Sequence, residues 1–466
     1  MGKIMKKILE KFQNNYFAYV AIPLLLHYKT FRKTYKFLQI SQWWSQEELK
    51  EYQLNQLDKL LKHAYKNVPY YNKIFDDQNL KPSDIQDFKD LQMIPLLSKE
   101  IVRKNLNDLK ASNYPKYKFE YISTGGSTGI PLGFYVEKNI WFAEELAYSK
   151  ILLNRVNCDF KDRFVYLREF VISSADKGKL WKYSLFGRCL ILSSYHLSEV
   201  NLLKYIKIIR SFKPKFIVAY PSSIAIIARY MKRNNIKPIT NVKAILVGAE
   251  KLYDWQRCLL EEIFVGCSLL DYYGIAERAV LSSTCEKSCY HHIFPQYGIV
   301  ELIDKNGKLV TEEDKPGEIV ATGFNNFIFP FIRYKTGDVG VFTSRKCSCG
   351  LNYSLLKVIE GRLQEYIITK NNRPISMTAL NMHSNVFDNV KQFQFYQEKK
   401  GQVVLNIIRY NNYTEKDTKC IERELYKKIG DGINLSIQFV DEIPRTMRGK
   451  HRFLIQKLPT EIENLQ

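Results

Sequence analysis

An alternation of apolar runs with amphipathic ones, sustained from residue 139 to residue 273, decides the fold class of this chain. Residues 139–154 carry helical periodicity and 163–168 read as a strand; 197–211 are helical and 216–219 form a strand. A helix over 222–232 follows, with Ser222 at its cap, then an apolar strand over 242–247, a helix over 253–263 and a strand over 269–273. Strands that take turns with helices of this length predict α/β layers in which helices cover the sheet faces. Ligands in such sheets collect at the carboxyl ends of strands. Gly248, Ala249 and Glu250 fall at one such end, and Gly274 to Glu277 follow the next strand.

A glycine-rich stretch lies upstream at 121–137, YISTGGSTGIPLGFYVE. A strand-like start leads into Thr124, Gly125, Gly126, Ser127, Thr128 and Gly129, and strand-like alternation resumes at Leu132. Glycines let backbone approach a ligand closely, while hydroxyls and successive N–H groups offer donors to phosphate oxygens. The stretch is not a lysine-bearing phosphate loop, because no lysine follows Gly129, nor does it match the dinucleotide glycine pattern. On its own it is either an anion cradle or a flexible Ser/Thr/Gly loop, and its partners downstream decide between them.

The flanking chain supplies the rest of the architecture. Residues 47–63 place Leu49, Leu54, Leu57, Leu60 and Leu61 at helical spacing, with an end near 67–69. Short helices are expected over 84–88 and 98–109, the second capped by Ser98. Residues 299–303 and 317–322 read as antiparallel strands around a turn at 304–307; 333–338 closes a further strand and 340–343 continue after it. The texture changes at Gly361 and Arg362. Beyond them come a strand at 365–369, a helix at 377–386, a strand at 403–409, a helix at 414–429 and a strand at 436–439. The chain of 466 residues, 45% hydrophobic, is thus expected to divide into a large unit over 1–360 and a small α+β unit over 361–466.

A net charge of +22, from 70 Lys+Arg against 48 Asp+Glu, attracts anionic partners without saying which. No RNP-like aromatic motif, paired zinc fingers or basic-leucine heptad accompanies it, so nucleic acid is not the expected partner. The first 45 residues are basic and amphipathic. Their longest charge-free run, 12–26, includes Gln13, Asn14, Asn15 and Pro23, is too short to span a bilayer, and precedes no small-residue cleavage site. Two readings remain: a segment resting on an anionic membrane surface, or a helix packed on the main domain. Nine cysteines, an odd count without compact spacing, fit a reducing, cytoplasmic compartment.

Five fragments then stand in order: TGGSTGIP at 124–131, YGIAE at 273–277, RYKTGD at 333–338, GR at 361–362 and PRTMRGKHRF at 444–453. Each alone is weak. The ordered set resembles the adenylate-forming superfamily of acyl- and aminoacyl-activating ligases, and within it the phenylacetate–CoA ligase-like branch, especially members associated with capsular polysaccharide synthesis. The likeness covers nearly the whole chain. It implies a large multi-subdomain N-terminal domain that binds ATP and a carboxylic acid, with a small mobile C-terminal lid that rotates between two half-reactions.

The same resemblance implies roles. Thr124, Gly125, Gly126, Ser127, Thr128 and Gly129 would wrap the β/γ-phosphates, Glu277 would help hold Mg²⁺, Asp338 would bind the ribose hydroxyls and Arg362 would add a ribose or phosphate contact at the hinge. Lys450 would meet the carboxylate and α-phosphate, while Gly248, Ala249, Glu250, Tyr273 and Gly274 would lie beside adenine and acyl group. Taken singly, Glu277 is a strand-end acid, Asp338 a turn residue and Lys450 one of a solvated basic run with Arg445, Arg448 and Arg452. Two departures from the branch stand out: Ile130 where a lysine is common, and Gln364 where an acidic hinge residue is common. The acceptor after adenylation is CoA, a carrier protein or an amino sugar, a homodimer is allowed, and the rival reading is a noncatalytic scaffold of polysaccharide assembly. Finally, Cys285, His291, Cys347 and Cys349 resemble a structural zinc site of this branch, with Cys289 as a substitute ligand and simple buried thiols as the alternative.

Overall fold

Helix α1 (Tyr28–Ser41) and α2 (Gln46–Asn67) open the described chain, followed by α3 (Pro69–Asp77) and α4 (Lys99–Lys104). The hairpin of β1 (Phe119–Ser123) and β2 (Gly133–Glu137) leads to α5 (Ile140–Arg155). The α/β layer then runs β3 (Phe164–Arg168), β4 (Trp181–Tyr183), β5 (Cys189–Ser193), α6 (Glu199–Phe212), β6 (Phe216–Ala219), α7 (Pro221–Arg233), β7 (Ala244–Gly248), α8 (Asp254–Ile263) and β8 (Ser268–Gly274). Strands β9 (Leu281–Cys285), β10 (Ser288–Ile293), β11 (Gly298–Ile303), β12 (Pro316–Gly323), β13 (Tyr334–Thr343) and β14 (Leu355–Glu360) follow without a helix of comparable length. The last unit comprises β15 (Tyr366–Ile368), β16 (Pro374–Ser376), β17 (Val390–Lys399), β18 (Gln402–Arg409), α9 (Glu415–Ile429), β19 (Asn434–Phe439) and β20 (Leu454–Gln456). This computed structural model describes residues 28–124, 132–168, 170, 172, 180–183, 187–197, 199–252, 254–304, 306–360, 366–376, 380, 385–387, 389–443 and 454–458.

Strands β3 to β14 make one twelve-stranded sheet in the order β11-β12-β13-β14-β10-β9-β8-β7-β6-β3-β5-β4. Its β5-β3-β6-β7-β8 part is parallel and is buried on both faces. The pleat sorts each strand between two cores. Val165, Leu167, Ile217, Ala219, Ile245 and Val247 pack with Ile206, Ile224 and Leu260 of α6, α7 and α8. Their neighbours Phe164, Phe216, Ala244 and Leu246 pack with Leu153 at the end of α5. Two-sided burial is what makes these strands continuous apolar runs. The smaller sheet, β19-β18-β17-β20, packs on Ile421, Leu425 and Ile429 of α9 in a core that Tyr195 also joins.

Several local expectations shift. The cap of α7 is Tyr220, not Ser222, because Pro221 occupies the first helical position, where a missing N–H costs nothing. The helix capped by Ser98 ends at Lys104, since the Asn105 side chain donates to the Ile101 carbonyl and competes with the next turn. In place of the helix expected over 84–88 stand two 3₁₀ turns, Pro82–Asp84 and Phe88–Met93, separated by 85–87. The RYKTGD fragment begins a strand rather than closing one: β13 starts at Tyr334 and runs on through Thr343. Most of the expected helix over 377–386 lies outside the described residues.

Candidate active site

Three strand segments meet at one edge. β7 stops at Gly248 and β8 at Gly274, and these are adjacent parallel strands in which Gly248 pairs with Tyr272. A side chain on Gly248 would put its Cβ 2.6 Å from the Tyr272 carbonyl oxygen, and Ala249 takes a positive φ of 65°. Glycine is therefore required at 248, and bare, sharply turned backbone is presented at the carboxyl edge.

β13 contributes through a bulge. From Lys335 to Val339 it advances four residues while β12 advances two, from Val320 to Glu318. Thr336 anchors the bulge, donating to the Ile319 carbonyl at 2.8 Å and accepting from the Asp338 N–H at 3.1 Å; Gly337 turns it at a φ of 81°. The extra residues take Asp338 out of the pleat's alternation and re-aim its carboxylate. The Tyr273 hydroxyl donates to Asp338 Oδ2 at 2.9 Å. Burial and that carboxylate push the Tyr273 phenol well above its ordinary range, so it remains a donor. In sheet order β13 stands four places from β8, a separation of roughly 19 Å if the sheet were flat. The direct hydrogen bond means that the sheet curls back on itself and closes a charged edge.

Glu277, just past β8, is turned inward: it is buried and accepts the hydroxyl of Tyr334, itself buried, at 2.5 Å. Arg333 holds the start of β13, pairing with Glu301 through two bonds of 2.8 and 3.0 Å and donating to the Ile94 carbonyl at 2.8 Å. Arg278 bonds Glu144 and Glu145 of α5 at 2.7 and 3.0 Å. The stem of the glycine hairpin shares a core with this region, where Leu132, Phe134 and Val136 pack with Ala279, Val280, Phe329 and Phe331. Its ends are tied, the Thr124 N–H donating to the Leu132 carbonyl at 2.8 Å and the Leu132 N–H to Thr124 Oγ1 at 3.0 Å. Gly125, Gly126, Ser127, Thr128, Gly129 and Ile130 lie outside the described residues, as do Arg362, Gln364, and Lys450 with Arg445, Arg448 and Arg452.

On the antiparallel side of the sheet, Cys285, His292, Cys347 and Cys349 bring one ligand atom each within 4.8 Å of one another. Cys285 Sγ is 3.5 Å from Cys347 Sγ, and Cys349 Sγ is 3.2 Å from His292 Nε2. Tetrahedral zinc with thiolate ligands wants donors ~3.8 Å apart, so three thiols and an imidazole at these spacings fit a closed structural site. The ligand set departs from expectation at one position: His292 joins the cluster and His291 does not. Adjacent residues of a strand project to opposite faces. His291 accordingly turns away, its Nε2 3.5 Å from Asp271 and its Nδ1 3.3 Å from Ser282 Oγ. Cys289 is exposed and outside the cluster. Burial pushes the Cys285 thiol up to about 12 and, with Arg155 nearby, the His292 imidazole down to about 4. A metal cation bound here would displace the proton of the Cys285 thiol.

Sequence reasoning had missed Tyr334 as the partner of Glu277, and His292. The first carries no local signal; the second was visible only as one of two adjacent histidines.

Comparisons with known proteins agree with this geometry. CapK of Staphylococcus aureus is 27% identical over 419 residues, 88% of this chain and 90% of that protein. The phenylacetate-coenzyme A ligase of Aromatoleum evansii is 24% identical over 438 residues, 90% of this chain and 96% of that enzyme. The family described as the CapK C-terminal domain matches residues 367–457. The crystal structure of 2-hydroxyisobutyryl-CoA ligase in complex with 2-HIB-AMP and CoA shares the fold, with a TM-score of 0.58 at 15% identity over 89% of this chain and 91% of that one. With the five ordered motifs, these likenesses make the chain similar to the adenylate-forming superfamily, and within it to the phenylacetate–CoA ligase-like branch of AMP-forming acyl-activating ligases.

Proposed function

We propose that this protein joins a carboxylic acid to ATP, releasing pyrophosphate and forming an acyl-adenylate, and then passes the acyl group to CoA or to another thiol or an amine. The observation that supports this best is the clasp of Tyr273 and Asp338 beside the bare backbone at Gly248. An acceptor carboxylate with a fixed phenol next to it suits a ribose diol, and turned backbone suits a flat base. Asp338 accepts from the ribose hydroxyls, and Tyr273 with Gly248, Ala249, Glu250 and Gly274 borders the adenine. The hairpin tip from Thr124 to Gly129 supplies N–H and hydroxyl donors to the β/γ-phosphates. Glu277 would help hold Mg²⁺, whose positive charge would offset that of the phosphates.

Adenylation needs little proton chemistry. A carboxylate oxygen attacks the α-phosphorus and the bond to pyrophosphate breaks, so positioning and charge compensation carry the rate. Lys450 delivers that compensation from a lid over 361–466, with Arg362 at the hinge. In the second step the acceptor thiol or amine takes the acyl carbon, AMP leaves, and the acceptor's proton is released. Zinc at Cys285, His292, Cys347 and Cys349 would be structural, because no described acid is placed there to activate water. The likeness to CapK favours a place in surface polysaccharide biosynthesis, with an amino sugar or a carrier-protein thiol as acceptors beside CoA.

The test is carboxylate-dependent ATP/pyrophosphate exchange across aryl acids, fatty acids and amino acids. Exchange confined to one class is expected and would identify the acid. Absence of both exchange and ATP binding would overturn the proposal in favour of a noncatalytic scaffold.

A further inference from the structure

Helix α1 carries Lys29, Arg32, Lys33 and Lys36 and not one acidic residue. At 3.6 residues per turn, Lys29, Lys33, Lys36 and Ile40 fall within about 60° of one another around the axis. The opposite side holds Phe31, Tyr35 and Leu38, which pack with Tyr148, Ile151 and Leu152 of α5. The orientation of the helix is thereby fixed, with the four cations exposed and joined to no acid among the described residues. The stripe ends in large apolar side chains left in water: Ile40 is 67% exposed and Trp43, in the turn after the helix, 56%. A Cβ at Gly350 would touch the Trp43 ring at 3.4 Å, so the Cys347–Cys349 turn lies beside the stripe, and that turn begins with exposed Arg345 and Lys346.

Helix α2 shows what an ordinary solvated face looks like in this protein. Its cations are interleaved with Glu47, Glu48, Glu51 and Asp58, and Lys62 and Lys50 pair with Asp58 and Asp87. Mixed charge keeps a surface soluble and uncommitted. A stripe of one sign bordered by Ile and Trp is built differently. We propose that the outer face of α1, with Ile40, Trp43, Arg345 and Lys346, docks on the surface of a bilayer containing anionic phospholipid. The cations sit over the headgroups while Ile40 and Trp43 enter the boundary between headgroups and acyl chains. Nucleic acid would engage the same cations but gain little from burying an aliphatic Ile40. Among the described residues no helix is long and apolar enough to cross a membrane. The inference stands independently of the proposed reaction.

Co-sedimentation of the full chain with vesicles tests it, using phosphatidylcholine alone and phosphatidylcholine mixed with phosphatidylglycerol. Binding is expected only to the mixed vesicles and should fade with salt. Replacing Lys29, Arg32, Lys33 and Lys36 by Glu should weaken it at least ~100-fold, since each cation at an anionic surface is worth about fivefold. The same charge change at Lys308, Lys399, Lys400 and Lys416 should change it only a few-fold. Ile40→Ser with Trp43→Ser leaves charge untouched and should still lower binding by about tenfold or more. Thermal melting of each variant shows that it is folded. Equal binding to both vesicle types, retention by the α1 variant, an equal loss in the control variant, or indifference to the Ile40 and Trp43 changes would each overturn the proposal. So would tight binding of an oligonucleotide by a chain that ignores vesicles.

Discussion

The proposed nucleotide edge and the Cys/His cluster occupy one sheet but use the β-strand in opposite ways. At the nucleotide edge the acting residues escape the pleat: Gly248 and Glu277 lie at or beyond strand ends, and Asp338 is lifted out by a bulge. In the cluster, Cys285 and His292 remain inside paired strands, and the pleat itself chooses which histidine faces the thiols. Residues that leave the pleat can be re-aimed by a turn. Residues within it are fixed by register, and a shift of one position exchanges them. The first centre is consequently polar and half open, suited to a ligand that comes and goes, whereas the second is closed and suited to an ion that stays.

The largest effect should come from the lid that is proposed to close over the nucleotide edge. Lys450→Ala should cut adenylate formation at least ~100-fold if, as proposed, this lysine supplies charge compensation that develops with the transition state. Exchange at near-normal rate would remove Lys450 from its assigned role. The cluster should respond next, and in stability rather than rate. His292→Ala should abolish stoichiometric zinc in the purified chain and lower its melting temperature, while His291→Ala should keep the metal, since zinc affinity in such sites is folding energy. Metal analysis of the two variants decides between them; zinc lost from His291→Ala and kept in His292→Ala would mean that the strand register differs from the one described. Chelation of the native protein should likewise lower the melting temperature before exchange activity falls.

Asp338→Ala comes third. If the carboxylate accepts from the ribose as proposed, its loss should raise KM for ATP by about tenfold, the weight of a hydrogen bond to a charged group. An unchanged KM would leave Asp338 as a bulge residue that merely steadies Tyr273. Comparison with Gly337→Ala, where a side chain is forced onto a φ of 81°, sharpens the reading, because it disturbs the bulge without removing the acid.

How far each centre was legible follows from the same contrast. The parallel strands were readable because burial on both faces makes them apolar runs, as in β7, Ala244–Gly248, where every residue is buried. The motifs at their ends survived as fragments because turns demand particular residues. β9 and β10 went unread. Their residues, LSSTC and SCYHHI, look like loop, yet Ser282, Ser283, Thr284 and His292 are buried. Buried hydroxyls find partners only after the sheet assembles, as when Thr284 Oγ1 accepts from the Asp271 N–H at 2.8 Å. β17 was missed for a related reason: in VKQFQFYQEK the Phe393 and Phe395 side chains are buried, but so are Gln394 and Gln397. Likewise, the clasp of Tyr273 on Asp338 depends on the sheet curling, which no local pattern announces.

That clasp gives the smallest and most discriminating prediction. Tyr273 has been given two tasks, flanking the adenine with its ring and holding Asp338 with its hydroxyl, and the two separate under Tyr273→Phe. The ring remains, so stacking is kept, while the 2.9 Å bond to Asp338 is lost. If the hydroxyl steadies the carboxylate, KM for ATP should rise by a few-fold with kcat nearly unchanged, about the ~1 kcal/mol expected of one hydrogen bond. If only the ring matters, Phe will behave as Tyr does and Tyr273→Ala alone will be costly. In the first case Tyr273→Phe combined with Asp338→Ala should be no worse than Asp338→Ala by itself, because the hydroxyl then has no carboxylate to hold. Additive losses would show instead that Tyr273 and Asp338 meet the nucleotide separately, and that the curl of the sheet brings them together without making them a unit.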